Sequence, residues 1–249
     1  MGMEQPLMPP KSYLVPAPAR EHAVVWPDDF GTRFTVFVDT EEEFDWSQPL
    51  RRENRATEAM RALPEMHALF AAHGVPATYM VDHPIVTCPM SVDILRAMLD
   101  DGRSAIGTQL HPWVNPPFEE IVVPRNSFVG NLPRELEAAK LAVLTGEIAS
   151  AFGRRPVMFR AGRYGVGPNS LSLLAAEGYR VDTSMRSGYN YGAEGGPDFT
   201  AIGNHAFWTG ERGLAEIPLT TIYTGAARLG GAGLYGALGR VPHGRGVAA

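Results

Sequence analysis

The chain has 249 residues, 20% of them charged, and a formal net charge of −5. That size suits one large domain or two small ones, and the charge balance, with no Lys/Arg block, argues against a nucleic-acid partner. The single cysteine, Cys88, excludes an internal disulfide and a cysteine-rich zinc site, and reads as a buried spectator thiol. The first residues carry neither the basic nor the apolar region of a secretory signal, and no stretch is long and apolar enough to span a bilayer. A soluble, cytoplasmic protein is therefore expected.

Strand-like and helix-like stretches alternate through the chain, which predicts an α/β fold. Residues 1–23, rich in Pro and Ala, read as an extended arm. Residues 24–225 read as the α/β domain, and 226–249 as a Gly/Ala-rich tail. The first strand is predicted over 33–39, as a buried run that ends in acid groups. A helix follows over 55–73, where Ala59, Leu63, Met66, Leu69 and Phe70 recur at helical spacing, with Gly74 as its stop. The second strand, 76–81, ends in Asp82-His83. Ser91 is expected to cap a helix reaching Leu99, and the third strand, 105–110, ends at His111. A long loop over 112–124 holds Trp113, Pro116, Pro117 and Phe118, and loops of that length tend to be functional. A helix over 132–152, a strand over 157–160, a helix over 169–177 and a strand over 179–183 follow. Residues 206–209 and 214–221 read as further strands. No repeat of fixed period is present.

The run from Phe34 to Trp46 carries the strongest chemical signal. An apolar and β-branched stretch leads into Asp39, Glu41, Glu42, Glu43 and Asp45. Carboxylates packed this densely need a cation, a shared proton or solvent to relieve their repulsion. In α/β sheets and barrels, the C-terminal ends of parallel strands are where chemistry is placed. Strand one ends in Asp39 and Glu41, strand three in Gln109 and His111, strand four in Arg160 and strand five in Asp182. If these strands run parallel, all of these groups meet on one rim. Carboxylate and imidazole together suit zinc or a similar divalent ion. A third ligand would come from Glu42, Gln109 or the Asp82-His83 pair. Plainer readings exist for each group. Asp39 can cap the next turn, the glutamates can be a solvated loop, His111 can be a packed histidine, and Arg160 can simply pair with the acids. Trp46, Trp113 and Trp208 can be ordinary packing, and for Trp208 that reading comes first.

Four blocks resemble the polysaccharide deacetylase (NodB-like) superfamily, and within it the WalW-like branch. They are Phe-Val-Asp39-Thr-Glu-Glu-Glu-Phe-Asp-Trp, Ile-Gly-Thr-Gln-Leu-His111-Pro-Trp, Phe-Arg160-Ala-Gly-Arg163-Tyr164-Gly and Gly-Tyr-Arg-Val-Asp182-Thr-Ser. The resemblance implies a distorted parallel (β/α) barrel and a divalent metal, usually zinc, cobalt or nickel. It also implies hydrolysis of an acetamide on an amino sugar or glycan precursor. Carried over by position, Asp39 would be the general base, Arg160 the group that holds it, and Asp182 the acid of the following block. The metal would fall to Glu41 or Glu42 with His111, and Gly107 or Gln109 stands where a second histidine is usual. Trp113, Tyr164 and Trp46 would contact the substrate, with Trp113 on a groove wall where its ring stacks on a sugar face. The superfamily's last block, a strand ending in a general-acid histidine, has no match. His243 lies in a stretch that is not strand-like, so the barrel reads as incomplete at the C-terminus. Two other outcomes stay open on this reading: a catalytically impaired remnant that binds glycan or metal, and a ureide or cyclic-amide hydrolase of the same fold.

Overall fold

The structure, a computed structural model, describes residues 12–225, 228–231 and 233. The chain divides into two units, Met1–Leu219 and Thr220–Ala249. In the second, the described part contains one 3-10 turn, Arg228–Gly230. Residues 1–11 of the arm and most of the Gly/Ala-rich tail, His243 included, lie outside the described residues.

The first unit is an α/β fold around a mostly parallel seven-stranded sheet. The strands are β1 (Val36–Thr40), β2 (Ala77–Val81), β3 (Ala105–Leu110), β4 (Met158–Ala161), β5 (Val181–Asp182), β6 (Phe207–Trp208) and β7 (Ala215–Glu216). Their spatial order is β1-β2-β3-β4-β5-β7-β6, and only β6 runs antiparallel to its neighbour. Among the described residues the sheet is open, with β1 and β6 at its edges. The helices are α1 (Leu63–Ala72), α2 (His83–Val86), α3 (Pro89–Leu99), α4 (Arg134–Phe152) and α5 (Ser170–Glu177). They provide the crossovers that parallel neighbours require. All five residues of β2 are buried, as expected for an inner strand covered on both faces. The longest helix, α4, packs on β3 and buries Leu136, Leu141, Leu144 and Ile148.

Several boundaries differ from the sequence expectation for identifiable reasons. β1 is not a buried strand. Val36, Phe37 and Val38 are half-buried and Phe34 is 90% exposed, because β1 is an edge that pairs only with β2. The predicted helix over 55–73 is a 3-10 turn, Glu58–Ala62, followed by α1. Pro64 lies in the first turn of α1, where a residue without an N–H costs nothing. Ser91 does not cap α3. It is buried inside that helix, which starts at Pro89 with Cys88 as N-cap. The short α2 was not anticipated; Asp82 caps it by accepting a bond from the Ile85 N–H at 3.0 Å.

Candidate metal centre and active site

Parallel order brings the C-terminal ends of β1, β2, β3 and β4 side by side. Register aligns Asp39 with Met80 and Gln109 with Arg160. Just beyond these ends, Glu42, Asp82 and His111 form a buried group whose ligand-capable atoms all lie within 4.8 Å of one another. His111 Nδ1 is 2.8 Å from Glu42 Oε2 and 3.8 Å from Asp82 Oδ2. The Glu42 N–H also donates to Asp82 Oδ2 at 3.1 Å. Burial pushes the Glu42 carboxyl up to about 7 and Asp82 well above the ordinary carboxylate range. Two desolvated acids side by side must share a proton or hold a cation. Glu42 Oε1 is buried without a hydrogen-bond partner. Two carboxylates, one imidazole and an orphaned oxygen fit a divalent cation. The grouping differs from the expected set. Asp82 belongs to it, whereas Glu41 and Gln109 stand beside it, on the other ring nitrogen of His111. Gln109 Nε2 donates to Glu41 Oε2 at 2.8 Å, and that oxygen lies 3.5 Å from His111 Nε2. Glu41 is also raised, by burial first, and Asp39 and Asp82 add to this against the opposing pull of His111.

Asp39 and Arg160 form a second pair on the same rim. Arg160 is buried, and its Nη1 donates to Asp39 Oδ1 at 2.5 Å. Its Nε and Nη2 donate to the Thr183 carbonyl and hydroxyl, each at 3.3 Å, and its guanidinium lies over the Phe37 ring at 5.2 Å. The arginine is thus fixed from β1 and β5 at once. The Asp39 side chain keeps 35% of its surface exposed, so this carboxylate is both oriented and accessible.

Asp182 does not reach the three-residue group. It is wholly buried, accepts bonds from the Ser184 hydroxyl and N–H, and sits in register with Glu216 on β7. Burial raises both acids, and Asp182 raises Glu216 further, so one proton shared between the two relieves their repulsion. Glu216 also accepts from the Met185 N–H at 3.1 Å. The pair therefore ties β7 to the turn that carries Thr183, the anchor of Arg160. Sequence reasoning missed Glu216. Alternation gave no signal for it, because its strand, Ala215–Glu216, has only two residues.

The aromatic residues separate. Trp113 forms no groove wall: it is 1% exposed, and its ring stacks on His111 at 4.4 Å and 19°. Its loop folds inward because the buried Lys140 ammonium donates to the carbonyls of Pro112, Asn115 and Pro117 at 3.0, 2.6 and 2.7 Å. The same ammonium pairs with Glu120 at 2.9 Å. Phe44 meets Trp113 edge-on at 5.7 Å and Trp46 at 4.3 Å, and Trp46 is 59% exposed. Tyr164 is half-buried near Arg160, 6.0 Å from its guanidinium. Arg163 and Tyr164 both have left-handed backbone, φ 54 and 60, a conformation that costs energy in a non-glycine residue and clusters at functional sites. Just before them, Gly162 leaves room for His111: a β-carbon there would sit 2.1 Å from His111 Cδ2 and 2.7 Å from the Leu110 carbonyl oxygen.

No protein-family model matches this sequence, and no curated protein matches it. Among solved structures the chain is similar to a polysaccharide deacetylase from Mycobacterium smegmatis. The TM-score is 0.50 and the identity 18%, over 80% of this chain and 62% of that one. The chain thus spans less than two thirds of that protein's length. Puue allantoinase aligns at TM-score 0.43 and 17% identity, over 68% of this chain and 46% of its own. A chitin deacetylase from the fungal pathogen Colletotrichum lindemuthianum aligns at TM-score 0.42 and 13% identity, over 75% and 72%. The likeness to the Mycobacterium smegmatis protein is one of fold alone. No helix among the described residues is long and apolar enough to cross a membrane.

Proposed function

We propose that the chain is a metal-dependent amide hydrolase of the deacetylase type, removing acetyl groups from N-acetylated amino sugars or glycan precursors. The observation that carries this reading is the buried Glu42–Asp82–His111 group beside the accessible Asp39, which Arg160 holds. The four sequence blocks that resemble the NodB-like superfamily, and its WalW-like branch, support it. So does the deacetylase named among the structural neighbours.

A divalent cation held by Glu42, Asp82 and His111, with zinc the first choice and cobalt or nickel next, would supply Lewis acidity and a water of lowered pKa. Asp39 is the base that takes the proton of the attacking water. Arg160 keeps that carboxylate aimed, and Thr183 keeps Arg160 in place. Trp113 and Gly162 fix the His111 ring from two sides. Hydrolysis breaks the C–N bond and yields a carboxylic acid and an amine. The departing nitrogen needs a proton, and on this reading protonated Asp39 returns it. Asp182 and Glu216 act at one remove, by holding the β5 turn.

The test is acetate release from N-acetylglucosamine oligomers by the metal-loaded chain, with Asp39→Asn as comparison. Release should fall by about 10²–10⁴-fold in the variant, the usual worth of a general base, while metal content stays the same. Full activity in Asp39→Asn would contradict the assignment. One observation favours a binding-only remnant: among the described residues, His111 is the only histidine in the group, where the superfamily's metal block has two. Metal uptake without acetate release would support that second reading.

A further inference from the structure

The turn after β5 carries Thr183, which holds Arg160, and then Arg186. Arg186 is half-buried, and its guanidinium lies over the Tyr189 ring at 4.0 Å. Its Nη1 donates to the Tyr191 hydroxyl at 3.4 Å. Among the described residues, no carboxylate or carbonyl accepts from its side chain. The other arginines that are not exposed differ. Arg52, Arg160 and Arg163 each pair with a carboxylate, and Arg55 donates to the Val114 carbonyl at 3.0 Å. Tyr164 joins Arg186 to the reacting centre. Its ring stacks on Tyr191 at 5.8 Å and lies 6.0 Å from the guanidinium of Arg160, which holds Asp39. Burial raises the Tyr164 hydroxyl and Asp39 raises it further, while Arg160 and Arg186 pull it down. That hydroxyl therefore feels the reacting carboxylate and Arg186 at once. Tyr164, Tyr189 and Tyr191 are each half-buried, so the way from Asp39 to Arg186 runs along accessible side chains and not through the core. A guanidinium steadied on an aromatic face, with unused donors along its edge, matches an oxyanion, which takes two parallel N–H bonds from it. A neutral hydroxyl would leave the partly desolvated charge uncompensated.

We infer that Arg186 binds an anionic substituent, a carboxylate or a phosphate, on the amino sugar whose amide lies at Asp39. The inference rests on the hydrolase reading for its reacting centre and names a substrate class for it: acidic N-acetylated sugars in preference to neutral ones. The reaction itself is unchanged.

The test uses the full, zinc-loaded chain and deacetylated ligands, which bind without turnover and leave Asp39 and its pairing with Arg160 intact. Dissociation constants are measured by calorimetry for glucosamine, muramic acid and glucosamine 6-phosphate. All three carry the same amine, so the ratio of each acid to glucosamine isolates the anion, and the two acids separate carboxylate from phosphate. Hydrogen bonds to a charged group are worth about tenfold or more in affinity. At least one acid should therefore bind about tenfold more tightly than glucosamine at low salt, and the advantage should shrink as salt is raised. Arg186→Gln, with zinc content and melting checked on the same sample, should bring the ratio close to one. Arg186→Lys keeps the charge but not the fork, and should retain only part of the advantage. Ratios near one for both acids in the parent, a parental ratio in Arg186→Gln, or an undiminished one in Arg186→Lys would overturn the assignment. A parental ratio in Arg186→Gln would put the anion on the metal or on Arg160 instead. Acetate release from the three N-acetyl forms is measured separately. Its absence beside an Arg186-dependent preference would remove the hydrolase reading and keep the anion site, whereas release without that preference would do the reverse.

Discussion

Gly162→Ala is a one-carbon change that tests how His111 is held. The added carbon would lie 2.1 Å from His111 Cδ2, 2.9 Å from Nε2 and 2.7 Å from the Leu110 carbonyl oxygen. Carbon atoms sit comfortably at about 3.5–4.0 Å, so the ring must retreat by roughly 1 Å or more. It has nowhere to go, because Trp113 stacks against it and both rings are buried. Overpacking of this kind costs about 1–3 kcal/mol. For a chain of this size each kcal/mol lowers the melting temperature by about 2–4 °C. Displacing a ligand by disturbing its support costs about 10–100-fold in metal affinity. The assay is zinc competition against a chromophoric chelator, with a thermal melt on the same sample. Gly107→Ala is the control. Its added carbon meets the Met80 tip at 2.4 Å and 2.8 Å and the Met158 carbonyl oxygen at 3.3 Å, none of them an atom of the metal group. It should lower the melt while leaving zinc affinity within a fewfold of the parent. A Gly162→Ala protein with parental melt and parental zinc affinity would refute the packing argument.

Two further outcomes follow from burial. Trp113→Ala should destabilise the chain by about 3–5 kcal/mol in urea titration, as removal of a buried aromatic does; an unchanged midpoint would contradict its place in the core. Glu216→Gln should change how stability depends on pH. Burial raises both Asp182 and Glu216. Their contribution is therefore complete below the ordinary carboxylate range, near about 4, and is lost as pH rises through the raised values. The glutamine keeps a donor for Asp182 but carries no titrating proton. Melting temperatures scanned upward from about pH 4 should fall more steeply in the parent than in the variant, and superimposable curves would rule out the shared proton.

What the sequence made legible was mostly what short-range chemistry determines. β3 was readable end to end because its apolar run is bounded by the Asp101-Gly102 turn and His111-Pro112. The meeting of Asp39 and Arg160 followed once the strands were taken as parallel. Other features depend on which neighbour a segment finds. β1 has the composition of an inner strand, yet ends at the sheet edge, so Phe34 is exposed. Trp113, in a Pro-rich loop, looked like a surface aromatic; only the buried Lys140, about one helix away in sequence, turns that loop inward. Asp82 sat at a strand end like the other acids, but its distance from Glu42 depends on the β1–β2 register. Asp182 shared that position as well, and its actual partner, Glu216, lies on a strand of two residues, too short for alternation to announce itself. The four-residue α2 is likewise below the length at which helical spacing is visible.

The claim on which the rest depends is that Glu42, Asp82 and His111 together bind a divalent cation. Elemental analysis of the zinc-loaded, dialysed chain tests it directly, with His111→Ala and Asp82→Asn alongside. The account predicts close to one ion per parent chain and near-complete loss in both variants. A parent chain that retains no zinc, or variants that retain as much as the parent, would contradict it.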